Sequence, residues 1–118
     1  MTVRRLKTYG SEMGHVYEYY FVGQRRALES FGAGAAEFIF DVSSDRRTFF
    51  AISIFLLDEA TADWAARHGR SLVDPERFAA AKLRLLRGFD EVEDMRADGR
   101  QLTISAEELE DLLAPLDL

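Results

Sequence analysis

The chain reads as an α+β protein in which an antiparallel sheet comes first and helices follow. Three observations predict this. Apolar residues alternate with period two through residues 3 to 57, and they recur at helical spacing through residues 58 to 113. Polar turns punctuate the first half, whereas helix caps punctuate the second. A run of strands and then a run of helices builds segregated layers and not βαβ units. The expected architecture is a four- or five-stranded antiparallel meander with two to three helices packed on it, as a single domain over residues 1 to 118. A chain of 118 residues and 13.4 kDa buries about two-thirds of its extended surface, enough for one core.

Residues 3 to 9 make a modest first strand, and the Gly10 to Gly14 stretch makes a turn. Residues 15 to 22 are the strongest strand, with His15, Tyr17, Tyr19 and Phe21 on one face and Val16, Glu18, Tyr20 and Val22 on the other. Residues 23 to 36 read as a loop. Residues 37 to 42 form the next strand, residues 43 to 47 a polar turn, and residues 48 to 57 a strand with apolar side chains on both faces. Such two-faced apolar strands belong to a sheet covered twice. Asp58 is placed to cap a helix to about His68, which Gly69 ends in the left-handed conformation. Asp74-Pro75-Glu76 opens a longer helix to about residue 97, with Phe78, Leu85, Phe89 and Val92 as its inward stripe. Gly88 inside it costs about 1 kcal/mol relative to Ala, which suggests a kink or a close packing contact. Residues 101 to 104 suit a short edge strand. Ser105 and Glu108 make a capping box for a last helix through about Leu113, stopped by Pro115. The core should include Phe38, Phe40, Ile52, Ile54, Trp64, Phe78, Leu85 and Phe89. Arg4-x-Leu6-x-x-Tyr9-Gly10 and Arg26-x-Leu28-x-x-Phe31-Gly32 also match at an offset of 22, which would make the sheet two related hairpins plus one strand.

Composition excludes several classes. Nine Phe, four Tyr and one Trp argue against disorder. The longest uncharged apolar stretch, residues 49 to 57, is far shorter than the about 20 residues of a membrane helix, and the basic start lacks the apolar region of a signal peptide. No Cys is present, so thiol chemistry is excluded and a cytoplasmic location is expected. Net charge is −6, and it is unevenly placed. Residues 1 to 89 hold thirteen Lys and Arg against eleven Asp and Glu; residues 90 to 118 hold two against ten. An acidic balance makes nucleic acid an improbable partner, because affinity there comes from neutralised phosphates. The acidic C-terminal segment is either a solvated face or a docking surface for a basic protein partner.

Candidate chemistry is sparse. Only His15 and His68 could serve a His-based scheme; His68 in a last helical turn is explained by the helix dipole. No His or Cys pair has zinc-ligand spacing, no Gly-x-Ser-x-Gly elbow surrounds a serine, and no cofactor motif occurs. The arginine pairs Arg4-Arg5, Arg25-Arg26 and Arg46-Arg47 are the most distinctive pattern, the last expected at the opposite sheet end from the other two. In a meander, the start of the first strand and the end of the second share a sheet end, where four guanidinium groups could hold a phosphate or carboxylate. Glu18, if buried among the tyrosines, would be the best general base. The candidate ligand-binding set is therefore His15, Tyr17, Glu18, Tyr19, Arg4, Arg5, Arg25 and Arg26. Arg4-Arg5 together with Asp41-Val-Ser43-Ser resembles the arginine and Asp-x-Ser-x-x-Gly elements of PilZ domains, with Arg46 where that motif has glycine. The resemblance spans about six residues and would imply cyclic di-GMP binding. The residues themselves favour a non-enzymatic interaction or regulatory module; the alternative is a small-ligand or nucleotide-binding protein using the strand aromatics and the arginine cluster. A homodimer is expected through an uncovered aromatic sheet face drawn from Tyr17, Tyr19, Phe21, Phe49 and Phe55, since such a patch exceeds what a monomer exposes.

Overall fold

The computed structural model describes residues 5 to 27 and 34 to 118. Five strands, β1 (Lys7–Gly10), β2 (Val16–Ala27), β3 (Ala35–Ser43), β4 (Phe50–Leu57) and β5 (Gln101–Ile104), form one sheet in that spatial order. Four helices accompany them: α1 (Asp58–His68), α2 (Asp74–Glu91), the single turn α3 (Met95–Asp98) and α4 (Ala106–Leu113). The α+β class and the four-strand meander agree with expectation. The all-antiparallel sheet does not: β5 runs parallel to β4, with Ser53 opposite Gln101 and Leu56 opposite Ile104. The reason is connectivity. A parallel pair needs a long crossover, and residues 58 to 100 supply it as helices.

The register shows which face is covered. Tyr9, Tyr17 and Tyr19 share a face with Phe40, Val42, Ile52 and Ile54, and α2 lies on it. Phe89 stacks on Tyr17 at 4.2 Å and 8°, and Phe78 meets Phe21 edge-on at 5.0 Å. Such aromatic pairs add about 0.5–1.5 kcal/mol beyond area burial. All eight expected core residues join this cluster, Phe78 only half-buried. The second face carries Glu18, Tyr20, Glu37, Asp41 and Ser53 among the apolar Ile39 and Phe55.

Two local departures matter. β2 continues to Ala27 where a loop was expected. A bulge between Phe21 and Gly23 shifts its register by one, so Gly23 sits in a strand and Arg25 and Arg26 follow on alternate faces. The helix expected over residues 74 to 97 stops at Glu91; Val92 is extended at φ −102° and ψ 117°. Asp94 then caps α3, accepting from the Ala97 N–H at 3.1 Å, and Met95 tucks beneath Gly88. A Cβ at Gly88 would stand 2.7 Å from Leu102 Cδ1 and 3.3 Å from Met95 Cε, so any larger residue there must push those side-chain ends aside. Two other caps match the sequence and two do not: Leu57 and Val73, not Asp58 and Asp74, hold the N-cap positions of α1 and α2, with no side-chain cap bond. Gly69 takes φ 74° after α1, and Ser105 and Glu108 bond reciprocally at the start of α4. Much of the offset repeat, from Leu28 to Gly32 and at Arg4, lies outside the described residues.

Candidate functional site

Two recesses flank α2. The first, about 480 Å³, lies between α2, α4 and the β1–β2 turn. Its floor is Leu83, Leu86, Leu112 and Leu116; Glu12, Asp90, Glu91 and Asp111 stand around it against a single cation, Arg87. The amphipathic pattern of α2 explains the floor. Phe78, Leu85 and Phe89 point into the core, leaving Leu83 and Leu86 on the flank next to α4. Asp90 locks the turn to α2, accepting from Tyr9 Oη at 2.7 Å and from the Glu12 N–H at 2.9 Å. That hydrogen bond from the phenol to the carboxylate, with smaller help from burial and Asp90's charge, pushes Tyr9 up to about 12.

The second recess, about 340 Å³, lies where the ends of β2 and β3 meet the first turns of α1 and α2. Arg25, Arg26 and Arg77 line it with Gln24, Asp58 and Thr61, over Ala36 and Leu56. Arg26 grips Asp58 with both Nη atoms, Nη1 donating to Oδ1 at 2.9 Å and Nη2 to Oδ2. That hydrogen bond, with added attraction from Arg26 and Arg77, holds the Asp58 carboxyl below the usual carboxylate range against a smaller opposing effect of burial. Arg77 Nη1 lies 3.5 Å from the exposed Asp74. Its Nε is buried and donates to no acceptor among the described residues, an arrangement that costs about 1–3 kcal/mol.

The seven sequence-derived site residues that the structure describes do not converge. Tyr17 and Tyr19 are 2% and 5% exposed beneath α2, where burial raises both phenols. Glu18 is half-buried on the second face, opposite Thr8 and Ser43. His15 lies in the turn before β2, its Nε2 3.7 Å from Glu93. Arg5 is exposed ahead of β1, and Arg4 lies outside the described residues. Arg25 and Arg26 sit eight and nine residues beyond Tyr17, about 25–30 Å along the strand. β1 pairs only with residues 16 to 19 of β2, so its start does not reach the Arg25–Arg26 end, and the two arginines separate to opposite faces. Arg25 Nε donates to Glu37 Oε1 at 2.8 Å, and Ser53 Oγ donates to Glu37 Oε2 at 2.6 Å. Sequence reasoning missed Arg77 and Thr61, which carry no local motif, and gave Asp58 only a capping role that Leu57 holds instead. Leu83 and Leu86 did leave a signal, being apolar positions off the inward stripe of α2.

Asp41 and Ser43, the residues resembling the PilZ motif, are engaged internally. Asp41 accepts from Tyr20 Oη at 2.8 Å, and Ser43 Oγ donates to Asp45 at 3.0 Å. Arg46 adopts φ 65°, the left-handed conformation that suits glycine. Comparison with protein-family models, curated proteins and solved structures finds no match. Among the described residues no group of three or more His, Asp and Glu could hold a metal ion, and no helix is long and apolar enough to cross a membrane.

Proposed function

We propose that the protein is a non-enzymatic interaction module whose groove between α2 and α4 takes a basic amphipathic helix from a partner protein. One observation carries this reading: an apolar floor of four leucines bordered by four carboxylates and one cation. Helix-in-groove recognition uses apolar anchors for affinity, and rim charge complementarity sets encounter rate and partner choice. The acidic C-terminal segment supplies part of that rim through Asp90, Glu91 and Asp111. The test is fluorescence anisotropy with a labelled 18-residue amphipathic Leu/Lys helix and its Leu/Glu counterpart. Salt-sensitive binding of the basic peptide alone, weakened at least tenfold by Glu91→Lys with Asp111→Lys, supports the reading. Equal binding of both peptides, or indifference to the double reversal, refutes it.

A second reading, a homodimer through the second sheet face, draws on Phe49 and Val16, which are 40% and 47% exposed; Phe49 lies beside Tyr20 at 5.7 Å. Tyr17 and Tyr19 lie under α2 and cannot contribute, so the patch is smaller than the sequence suggested. Light scattering decides. A mass twice the chain's 13.4 kDa that Phe49→Lys returns to the monomer value supports the dimer; a monomer across micromolar concentrations refutes it.

A further inference from the structure

From a third recess, of about 310 Å³, between the start of β2 and the stretch that joins α2 to α3, we infer a binding site for a small organic cation, a primary ammonium on a short apolar body. Its position is independent of the peptide groove. Tyr17 carries the inference. The residue is 2% exposed and its ring lies flat on Phe89. Its hydroxyl makes no hydrogen bond among the described residues, yet it is not sealed from the recess that Tyr17 lines. A polar group so deeply placed is ordinarily satisfied, and one that faces a recess takes its partner from there. The neighbours decide the partner's charge. Burial raises the Tyr17 phenol, and the carboxylates of Asp94 and Glu93, which line the same recess, add to it; such a field favours a cation. Asp94 Oδ1 accepts from the Ala97 N–H at 3.1 Å, and Oδ2 has no partner among the described residues. Glu93 stands at the rim, 3.7 Å from His15 Nε2. Arg96, the one guanidinium lining the recess, is drawn over the Phe50 ring, 6.0 Å from its centroid. A primary ammonium brings three N–H donors, enough for Tyr17 Oη and Asp94 Oδ2 with one left for Glu93. A metal ion is a poorer match, because no three His, Asp or Glu side chains converge among the described residues. Val16, Phe50 and Met95 give an apolar wall, and the volume is at the lower end of small-molecule sites.

The experiment is a ¹H–¹⁵N NMR titration at neutral pH and constant ionic strength, followed at the backbone amides of Tyr17, Ser44 and Met95. Butylammonium is the probe, and tetramethylammonium, which carries the same charge without an N–H, is the reference. Saturable shifts from butylammonium, with an affinity at least fivefold above that of tetramethylammonium, support the site. A smaller advantage, or no saturation, overturns it. Tyr17→Phe keeps the ring on Phe89 and removes only the hydroxyl. It should weaken butylammonium binding at least threefold, and a smaller loss overturns the assignment. Asp94→Asn keeps the cap on α3 and removes the charge; it should weaken binding at least tenfold, and a smaller loss overturns the proposal. If Tyr17→Phe does not fold, Asp94→Asn decides alone.

Discussion

Replacing Glu37 by Gln isolates what a buried carboxylate on the second sheet face is worth. Glu37 is 6% exposed and accepts from Arg25 at 2.8 Å and from Ser53 at 2.6 Å. The Gln side chain keeps the shape but offers one acceptor where two were used, and it removes the charge from both bonds. A bond to a charged group contributes about 1.5–3 kcal/mol against about 0.5–1.5 for a neutral one. The discount is that the Arg25 side chain is 68% exposed, so its share is screened by water. Glu37→Gln should therefore cost about 1–2 kcal/mol at pH 7, or about 4–8 °C in Tm for a chain of this size. The bond from Arg25 and, behind it, that from Ser53 hold the Glu37 carboxyl below its ordinary value, outweighing burial, which pushes the other way. A depressed folded value means stabilisation fully present above the unfolded value of about 4.3 and lost as pH falls through the folded one. Thermal unfolding by circular dichroism at pH 7 and pH 3 should show a gap between wild type and Glu37→Gln that narrows in acid. A gap below 0.5 kcal/mol at pH 7, or one independent of pH, refutes this account.

Two further outcomes follow from described contacts. Gly88→Ala gains up to about 1 kcal/mol of helix propensity, but its Cβ meets Leu102 and Met95 in a packed core, where overpacking costs about 1–3 kcal/mol. A net loss of about 1 kcal/mol by urea titration is expected, and stabilisation would show that Leu102 yields freely. Tyr9, raised to about 12 by Asp90, should contribute stability that is complete below pH 10 and lost as pH climbs from 10 toward 12. Tyr9→Phe should lessen the alkaline decline, leaving the part that the buried Tyr17 and Tyr19 contribute, as read from urea midpoints between about pH 9 and 12; a decline as steep as the wild type's refutes the assignment.

Most of the fold was legible where one local signal sufficed. Gly69 and the Ser105–Glu108 box marked helix ends because capping depends on neighbouring residues alone. Gly23-Gln24-Arg25-Arg26 misled because a glycine and three polar residues imitate a loop. Their strand conformation rests on a bulge and on partners, Glu37 and Asp58, that lie 12 and 32 residues away. The break at Val92 was masked by an apolar residue in register with the stripe, although Asp94 is a recognisable cap. For the sites, period-two patterning showed that Tyr17 and Glu18 face opposite ways. It could not say which side α2 would cover, and that choice removed the tyrosine rings from any open pocket. The parallel direction of β5 left no trace in four residues.

The placement of β5 bears on how the chain avoids sticking to itself. β4, Phe50–Leu57, is eight residues with no charge, and β3 protects only one of its margins. Until residues 101 to 104 arrive, the other margin offers unpaired N–H and C=O groups along an apolar ribbon, the kind of template that recruits foreign strands. The Ser53 N–H donating to Arg100 O at 2.9 Å and Arg100 Nε donating to Ala51 O at 2.6 Å begin the seal just before β5 itself. During synthesis that seal waits for more than forty residues after Leu57, so the nascent chain carries an open seam through the making of α1 and α2. A protein cut after Asp98 would keep its meander and two main helices yet carry the seam permanently, and precipitation would be its characteristic fate.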